Sequence, residues 1–444
     1  MKISMISLGC AKNKIDSELF LGLAAKYGMD INDNYNAIEL VDSSDLSEAD
    51  IIVINTCGFI ESAKKESIDT ILDMLDYQKE GKIIVVMGCL VERYLDDLKK
   101  EIPEVNYYLP IHNYHELFKF FQKILNTTKK YDFYKSDRVL STPSKSAYIR
   151  IGEGCDNCCT YCAIPLIRGK YRSRPIEDIL AECEYLHSMN INELTVIAQD
   201  TSKYGIDMKD MSLATLLSKI AELNYFKWIR VLYLYPDEIT DELIATFKKY
   251  DSIVKYFDIP IQHCNNRLLK LMNRRGSKEL IINLINKIRK EIPNAIVRTT
   301  LIVGFPGETD EEFNELVDFI DEIKFDHLGA FTYSAEDDTK AALMDNQIDE
   351  SIKQKRLDII MNHQYFINQK RLDSLIGKTF EAIFDHIDLD LNCYVFRNYS
   401  QALDDADGYI YVEMFDDAEI GEFYKIQITD HSDYDLYGKI NIHA

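Results

Sequence analysis

Apolar residues recur along this chain with two different periods, and the switches between them mark its organisation. Over roughly the first 130 residues, the β-branched runs MKISMISL, ADIIVINT and GKIIVVMG alternate with helix-period segments, SELFLGLAAKYG and ESIDTILDMLDYQKEG, that close on glycine. That alternation predicts an open parallel α/β sheet. Residues 135–146, KSDRVLSTPSKS, are polar, contain proline and read as a linker. Between Tyr148 and Phe331 six strand-like runs, AYIRIG, ELTVIAQD, WIRVLYLYP, YFDIPI, AIVRTTLIVG and HLGAFTY, are separated by helical segments, the pattern of a partial (β/α) barrel. Residues 347–376 form one long helical stretch. Beyond Gly377 the period changes to short strands with turn signals, TFEAIFDHI, NCYVFRNYS, YIYVEMF and FYKIQITDH, which predict a small all-β, OB-like barrel. The expected fold class is α/β in three domains, 1–134, 147–370 and 371–441, with 135–146 as the connection.

Composition and charge narrow the partners. The 444 residues hold 9 Pro and 18 Gly, too few for a disordered or low-complexity chain, and carry a formal net charge of −23. Such a chain is poorly suited to grip a phosphate backbone over a wide surface, so no strong RNA binding is expected. The last module is the charge extreme: from Arg371 onward there are 16 acidic and 5 basic residues. This reads either as a solvated surface or as a docking face for a basic partner. No run approaches the ~20 apolar residues of a membrane span, and MKISMISLGC is too short for a secretory signal, so a cytoplasmic protein without a membrane partner is expected. Ten cysteines in that setting are not a disulfide framework.

The chemistry sits in those cysteines. In EGCDNCCTYCAIPLIRG, Cys155, Cys159 and Cys162 have the spacing C-x3-C-x2-C after a strand-like run. Three thiolates on one loop can each ligate one iron of a [4Fe-4S] cluster and leave the fourth iron open. The competing reading is a four-thiolate zinc site that includes Cys158, cramped by the adjacency of Cys158 and Cys159. A second set is spread along the first domain: Cys10, Cys57 and Cys89 each follow one of its three strand-like runs. In an open α/β sheet the strand C-termini form the ligand crevice, so these three can hold another cluster; three buried free thiols are the alternative. Gly9, Gly58 and Gly88 beside them suggest close backbone approach to that cluster. Cys183, Cys264 and Cys393 lack partners at ligand spacing and read as core residues. At two other strand ends, Gln199, Asp200 and Thr201 follow ELTVIA, and Gly304, Gly307 and Glu308 follow TTLIV. These are places where barrel active sites are built. Arg298 is a candidate either for a bound carboxylate or for a structural salt bridge.

The motifs SLGCAKNKIDSE, NTCGFIESAKKES, MGCLVERY, EGCDNCCTYCAIPLIRGKYRSRP, AQDTSKYG, FDIPIQH, RTTLIVGFPGETDEEF and DHSDYDLYGKI together resemble the radical S-adenosylmethionine methylthiotransferase family over nearly the whole chain. The resemblance implies an N-terminal three-cysteine domain, a radical S-adenosylmethionine core and a C-terminal TRAM domain. It implies two [4Fe-4S] clusters, on Cys155, Cys159 and Cys162 and on Cys10, Cys57 and Cys89, with S-adenosylmethionine chelated at the first. Tyr161 matches the aromatic residue before the last cysteine of the core motif. Tyr161, Gln199, Asp200, Arg298 and Gly304 are the candidate contacts to S-adenosylmethionine. IRGKYRSRP, AQDTSKYG and YDLYGKI are closest to the branch that modifies the β-carbon of an aspartate in small-subunit ribosomal protein S-twelve. A reductase or flavodoxin-type protein is the implied electron donor. The acidic last module agrees with a basic protein substrate. The runner-up is the branch acting on tRNA adenosine, and a remote alternative is a non-catalytic zinc-binding adaptor. The chain departs from the family pattern at Ala11, at Ser334-Ala335 and at Ala402-Leu403, none of them a cluster ligand.

Overall fold

Five parallel strands, β1 (Lys2–Ser7), β2 (Asp30–Asn34), β3 (Ile51–Thr56), β4 (Ile83–Gly88) and β5 (Tyr107–Leu109), form the first sheet in the order β2-β1-β3-β4-β5. The computed structural model describes residues 1–34, 43–111, 114–131, 138–142, 145–404 and 407–441. Strand β3 is buried along its whole length because helices cover both faces: Ile51 and Val53 join one apolar cluster, Ile52 and Ile54 the other. A run buried on both sides has no reason to alternate, which is why ADIIVINT reads as continuously apolar. The chain leaves β1 to one side and later returns as β3 on the other. The crevice where strand order reverses therefore opens beyond the C-termini of β1 and β3.

The second domain opens with β6 (Ser146–Arg150), followed by a short antiparallel pair, β7 (Gly152–Glu153) and β8 (Arg172–Ser173), which brackets the Cys155 loop. Then come β9 (Glu193–Ile197), β10 (Trp228–Val231), β11 (Tyr256–Asp258), β12 (Ile296–Val303) and β13 (His327–Thr332). They make two parallel three-stranded sheets, β10-β9-β6 and β11-β12-β13, joined by an isolated parallel bridge between Ile229 and Ile253. The six expected strands are thus present as an open barrel. Its unclosed inner face packs against the helix Ala11–Lys26 of the first domain: Ala11, Ile15 and Leu19 share a cluster with Tyr148, Ile197, Trp228, Leu232, Tyr256 and Ile296. The expected helix over 347–376 runs as Glu350–Asp373, with the Asp349 side chain capping its first turn.

The last domain is a closed barrel of five strands, β14 (Thr379–Asp388), β15 (Cys393–Asn398), β16 (Ile410–Glu413), β17 (Phe423–His431) and β18 (Leu436–Ile440), ordered β14-β15-β16-β18-β17. The sequence pattern gave only four of these. LYGKI escaped because β18 has one fully buried residue, Leu436, and puts Gly438 where a side chain would run into Ile426. The barrel is fastened to the second domain by a buried ion network. Glu193 Oε1 accepts from Arg230 Nε at 3.0 Å and Oε2 from Arg397 Nη2 at 2.8 Å, while Arg397 Nε reaches Asp385 Oδ1 at 2.6 Å.

The stretch read as a linker is pinned where it is described; residues 135–137, 143 and 144 lie outside the described residues. Arg138 is buried and pairs with Glu18 of the first domain at 3.2 Å and Glu182 of the second at 3.1 Å. Among the described residues, no helix is long and apolar enough to cross a membrane.

Candidate functional site

The three cysteines of the first domain occupy the crevice at the strand order reversal. Cys10 is the N-cap residue of the helix Ala11–Lys26, Cys57 follows β3, and Cys89 opens the helix Cys89–Glu101. Helix N-termini favour negative charge, which suits thiolates. Two glycines let the loops converge. A side chain at Gly9, whose φ is 88°, would stand 2.8 Å from Cys57 Cβ; one at Gly58 would stand 2.9 Å from the Leu90 backbone. Their role in the fold is therefore to let the cysteine loops pack on one another. Burial pushes the Cys57 thiol up to about 12, with the thiols of Cys89 and Cys10 adding to it. Burial raises Cys89 as well, against the pull of Arg168.

The second set lies on the loop between β7 and β8. Cys155 N donates to Gly169 O at 3.0 Å, Cys162 N to Cys159 O at 3.0 Å, and Ile164 N faces Cys162 Sγ at 3.5 Å. Burial pushes Cys155 up to about 11 and Cys162 up to about 12, with Cys159 a further cause for both. Cys158 is exposed, at φ 49°, with its carbonyl held by Asn273 Nδ2 at 3.0 Å. Among the described residues, no three His, Cys, Asp or Glu side chains are grouped as ligands of a single metal ion. A single-ion zinc site would need that grouping, whereas thiolates on separate irons of a cluster would not.

One strand end joins the two sets. Beyond β10 the chain presents Tyr233 and Tyr235. Tyr235 Oη is 3.4 Å from Cys159 Sγ, with Arg274 stacked 3.9 Å over its ring. The Tyr233 ring lies 3.2 Å from Lys12 Nζ and within electrostatic reach of Cys10. Burial lowers the pKa of Lys12. Arg168, six residues beyond Cys162, turns back to the other set. Its Nη2 lies 3.4 Å from Cys89 Sγ, 2.9 Å from Asn13 Oδ1 and 2.8 Å from Asp16 Oδ2. Sequence reasoning missed Lys12, Arg168, Tyr233, Tyr235 and Arg274 as site residues. Arg168 and Lys12 had a usable signal, each being a cation beside a cysteine motif. The tyrosines and Arg274 carried none, because only folding brings them to the thiols.

The remaining candidates divide. Tyr161 lies within electrostatic reach of Cys159 and Cys162 and packs on the cluster of Phe305, Tyr333, Leu268 and Met272. Asp200 accepts from Asn157 Nδ2 at 2.7 Å and acts electrostatically on Cys155; Gln199 donates to Glu153 Oε1 at 3.0 Å and leaves its own Oε1 buried without a partner. Gly304, at φ 72°, packs against Lys353, and its N–H donates to Glu308 Oε2 at 2.8 Å. Arg298 is near the start of β12. It pairs with Asp258 and Asp407 at 3.2 Å each, the salt-bridge arrangement. Cys183 and Cys264 are buried and Cys393 is partly buried.

Two carboxylates counted with the acidic docking face are engaged in contacts between domains, Asp407 buried and Asp404 exposed at its outer side. Asp407 is buried and accepts from Tyr256 Oη at 2.6 Å and Ala402 N at 2.9 Å, and Asp404 pairs with Lys14 at 2.8 Å and accepts from Tyr148 Oη at 2.6 Å. They hold the last domain to the other two. Asp405 lies outside the described residues. Glu413, Asp416, Asp417 and Glu419 are exposed.

Three family models match in order along the chain: the uncharacterised protein family UPF0004 over residues 2–110, the radical SAM superfamily over 149–320 and the TRAM domain over 376–440. The chain is 47% identical over 451 aligned positions to the ribosomal protein uS12 methylthiotransferase RimO of Clostridioides difficile (strain 630), covering 99% of each protein. It is 46% identical to the protein of the same description from Clostridium botulinum (strain Loch Maree / Type A3), covering 99% of this chain and 98% of that one. Among solved structures it resembles the radical S-adenosylmethionine methyltransferase TsrM of Kitasatospora setae, with a TM-score of 0.56 and 13% identity over 74% of this chain and 72% of that one. It also resembles the cobalamin-dependent S-adenosylmethionine radical enzyme OxsB, with a TM-score of 0.52 and 13% identity over 82% of this chain and 57% of that one. At these identities the likeness is one of fold. Nearly half the residues are shared with RimO proteins from end to end, and the cysteine-bearing domain, open barrel and small β-barrel follow in the same order, so the chain belongs to the RimO family of radical S-adenosylmethionine methylthiotransferases.

Proposed function

We propose that this enzyme adds a methylthio group to the β-carbon of an aspartate in ribosomal protein uS12. It would use two [4Fe-4S] clusters, one on Cys155, Cys159 and Cys162 and the other on Cys10, Cys57 and Cys89. The observation that carries this reading is the convergence of the two cysteine sets on one strand end, through Tyr233 and Tyr235, with Arg168 reaching from one motif to the other. A reaction that makes a carbon radical and then delivers sulfur to it requires both centres at one compartment.

The thiols suit that cargo. Burial keeps the Cys57 and Cys162 thiols protonated in the absence of metal, and iron ligation would displace those protons. Arg168, Lys12 and Arg274 supply positive charge beside them. When bound, the clusters and S-adenosylmethionine supply reductive cleavage, hydrogen abstraction and sulfur delivery. The chain's own residues position and seal. The apolar side of the helix Ala11–Lys26 closes the open barrel and keeps water from its inner face. Tyr235 and Arg274 fix Cys159, and Arg168 with Asp16 and Asn13 fixes Cys89. Tyr161, Gln199, Asp200 and Gly304 lie on the loops available to S-adenosylmethionine. Asp156 and Cys158 expose the Cys155 loop, the natural entry for an electron from a reductase or flavodoxin-type donor. The acidic last domain disfavours RNA and favours a basic protein.

Reconstituted enzyme, S-adenosylmethionine and a reductant, incubated separately with uS12 and with tRNA, test the reading by mass spectrometry. A methylthio group in place of one hydrogen on a uS12 aspartate is the expected result. Modified tRNA adenosine with untouched uS12 would transfer the chain to the tRNA-modifying branch.

A further inference from the structure

Between the helices Glu61–Lys79 and Cys89–Glu101 runs a groove of about 690 Å³ that the chemistry above does not use. Its lining includes Ile68, Leu72, Leu90, Leu98 and Ile102, and Leu72 is 48% exposed although it belongs to an apolar row. The carboxylates of Glu61, Asp69, Asp97, Glu101 and Asp337 share this lining with two lysines, Lys64 and Lys65. Lys64 is already paired with Glu61 at 2.8 Å and Glu336 at 3.1 Å. The groove is thus apolar along its floor and negative along its rim.

Its position matters as much as its character. Leu90 follows Cys89 in the chain and packs against Gly58, which follows Cys57. One end of the groove therefore starts behind two thiols of the first domain. The other domain contributes as well. Arg93 Nη1 bridges Gly58 O at 3.1 Å and Glu336 Oε2 at 2.9 Å, and Tyr94 Oη donates to Asp337 Oδ2 at 2.7 Å. The groove is anchored at the seam between the first and second domains.

We propose that this groove docks a polypeptide segment of the protein substrate, one that inserts apolar side chains between the two helices and sets Lys or Arg against the carboxylate rim. The proposal rests on the reading of the chain as a uS12-modifying enzyme and names a surface for that substrate. An apolar floor supplies affinity for a side chain but not for a nucleic-acid backbone, and the acidic rim repels phosphate. The rim equally disfavours an acidic protein such as a flavodoxin. Docking here would hold the substrate on the far side of Cys57 and Cys89 and lower the entropy cost of presenting one aspartate to the site.

Full-length holoenzyme and recombinant uS12 test it. Leu72→Arg places a cation on the floor at an exposed position, and Asp69→Lys with Asp97→Lys reverses the rim. Each is expected to raise KM for uS12, and the Kd measured by titration, about tenfold, with kcat changing far less. A photo-crosslinking residue at position 72 should capture uS12. Wild-type KM in both variants, with wild-type enzyme modifying uS12, would overturn the groove alone. Crosslinking only to a second copy of this chain would assign the groove to self-association and overturn it too. If wild-type enzyme neither binds nor modifies uS12, the functional reading and the groove both fall.

Discussion

The Arg168 guanidinium donates to the Cys89 thiol across the seam between two domains, Nη2 to Sγ at 3.4 Å. Arg168 belongs to the short helix Ile164–Arg168 that follows Cys162, so one residue ties the loop of one cysteine set to a ligand candidate of the other. The same guanidinium meets Asp16 at 2.8 Å, and Arg150 meets Asp16 from the other side at 2.7 Å. Asp16, Arg150 and Arg168 are all nearly inaccessible to water, with 3–5% of each side chain exposed. Arg168→Gln leaves part of this charge uncompensated. Breaking one partner of a buried pair costs about 3–5 kcal/mol, and denaturant unfolding of the iron-free protein should show a loss of that order. Arg168→Lys keeps the charge but not the planar fork, so it should recover only part of the loss. Full stability in Arg168→Gln would mean that the seam is held elsewhere.

Anaerobic reconstitution should load about eight irons per chain, four for each cluster. Replacing Cys155, Cys159 and Cys162 by Ala should leave about four and abolish cleavage of S-adenosylmethionine. Replacing Cys10, Cys57 and Cys89 should also leave about four, retain cleavage to 5′-deoxyadenosine and abolish methylthio transfer. Iron analysis with product chromatography separates these outcomes, and full iron content in either triple variant would refute that ligand set.

Both cysteine sets were readable in the sequence because their signal is local: C-x3-C-x2-C on one loop, and a cysteine at each of three strand ends. A parallel strand followed by a helix delivers such a residue to the crevice wherever the strand falls in the sheet. What joins the sets was not readable. Tyr233 and Tyr235 look like ordinary aromatic residues in WIRVLYLYP, and only the packing of the helix Ala11–Lys26 into the barrel brings Lys12 over one of them. The charge of the last domain misled for a similar reason. Asp404 and Asp407 count as surface charge in a sum, but they are spent on Lys14, Tyr148, Tyr256 and Arg298. A net charge cannot separate carboxylates facing solvent from those facing another domain. Arg298 carries no sequence signal of its pairing with Asp258 and Asp407, because Asp407 comes from another domain.

His327 makes the contact between the barrel and the last domain sensitive to acid. Its Nε2 is 2.7 Å from Ser400 O and its Nδ1 3.4 Å from Asp407. Burial lowers its pKa to about 4; Asp407 pulls upward, while Arg371 and Arg298 oppose protonation. The unfolded chain, with a histidine near 6.5, binds more protons between the two values. Stability is therefore present above pH ~6.5 and is lost as pH falls toward 4, on the order of 3 kcal/mol at the limit. Unfolding midpoints between pH 7.5 and 4.5 should fall less steeply for His327→Gln than for wild type. Equal slopes would remove His327 as the titrating group.

The exposed carboxylates Glu413, Asp416, Asp417 and Glu419 remain the acidic face of the last domain, and they separate from Asp404 and Asp407 by experiment. An exposed ion pair contributes only about 0.2–1 kcal/mol, but four acting on a basic protein add up to about 1–4 kcal/mol and are weakened by salt. Reversing all four to Lys should weaken uS12 binding about tenfold at low ionic strength and flatten its salt dependence, because attraction becomes repulsion that salt screens. The fold should tolerate the change, since these side chains face water. Asp404→Asn with Asp407→Asn should behave in the opposite manner. That variant removes charges paired with Lys14 and Arg298 at the contacts between domains, so it should lower the unfolding midpoint and leave the salt dependence of uS12 binding as in wild type. Wild-type affinity across salt concentrations in the fourfold reversal would show that the substrate does not meet this face, and would leave the groove between the first-domain helices as the docking surface.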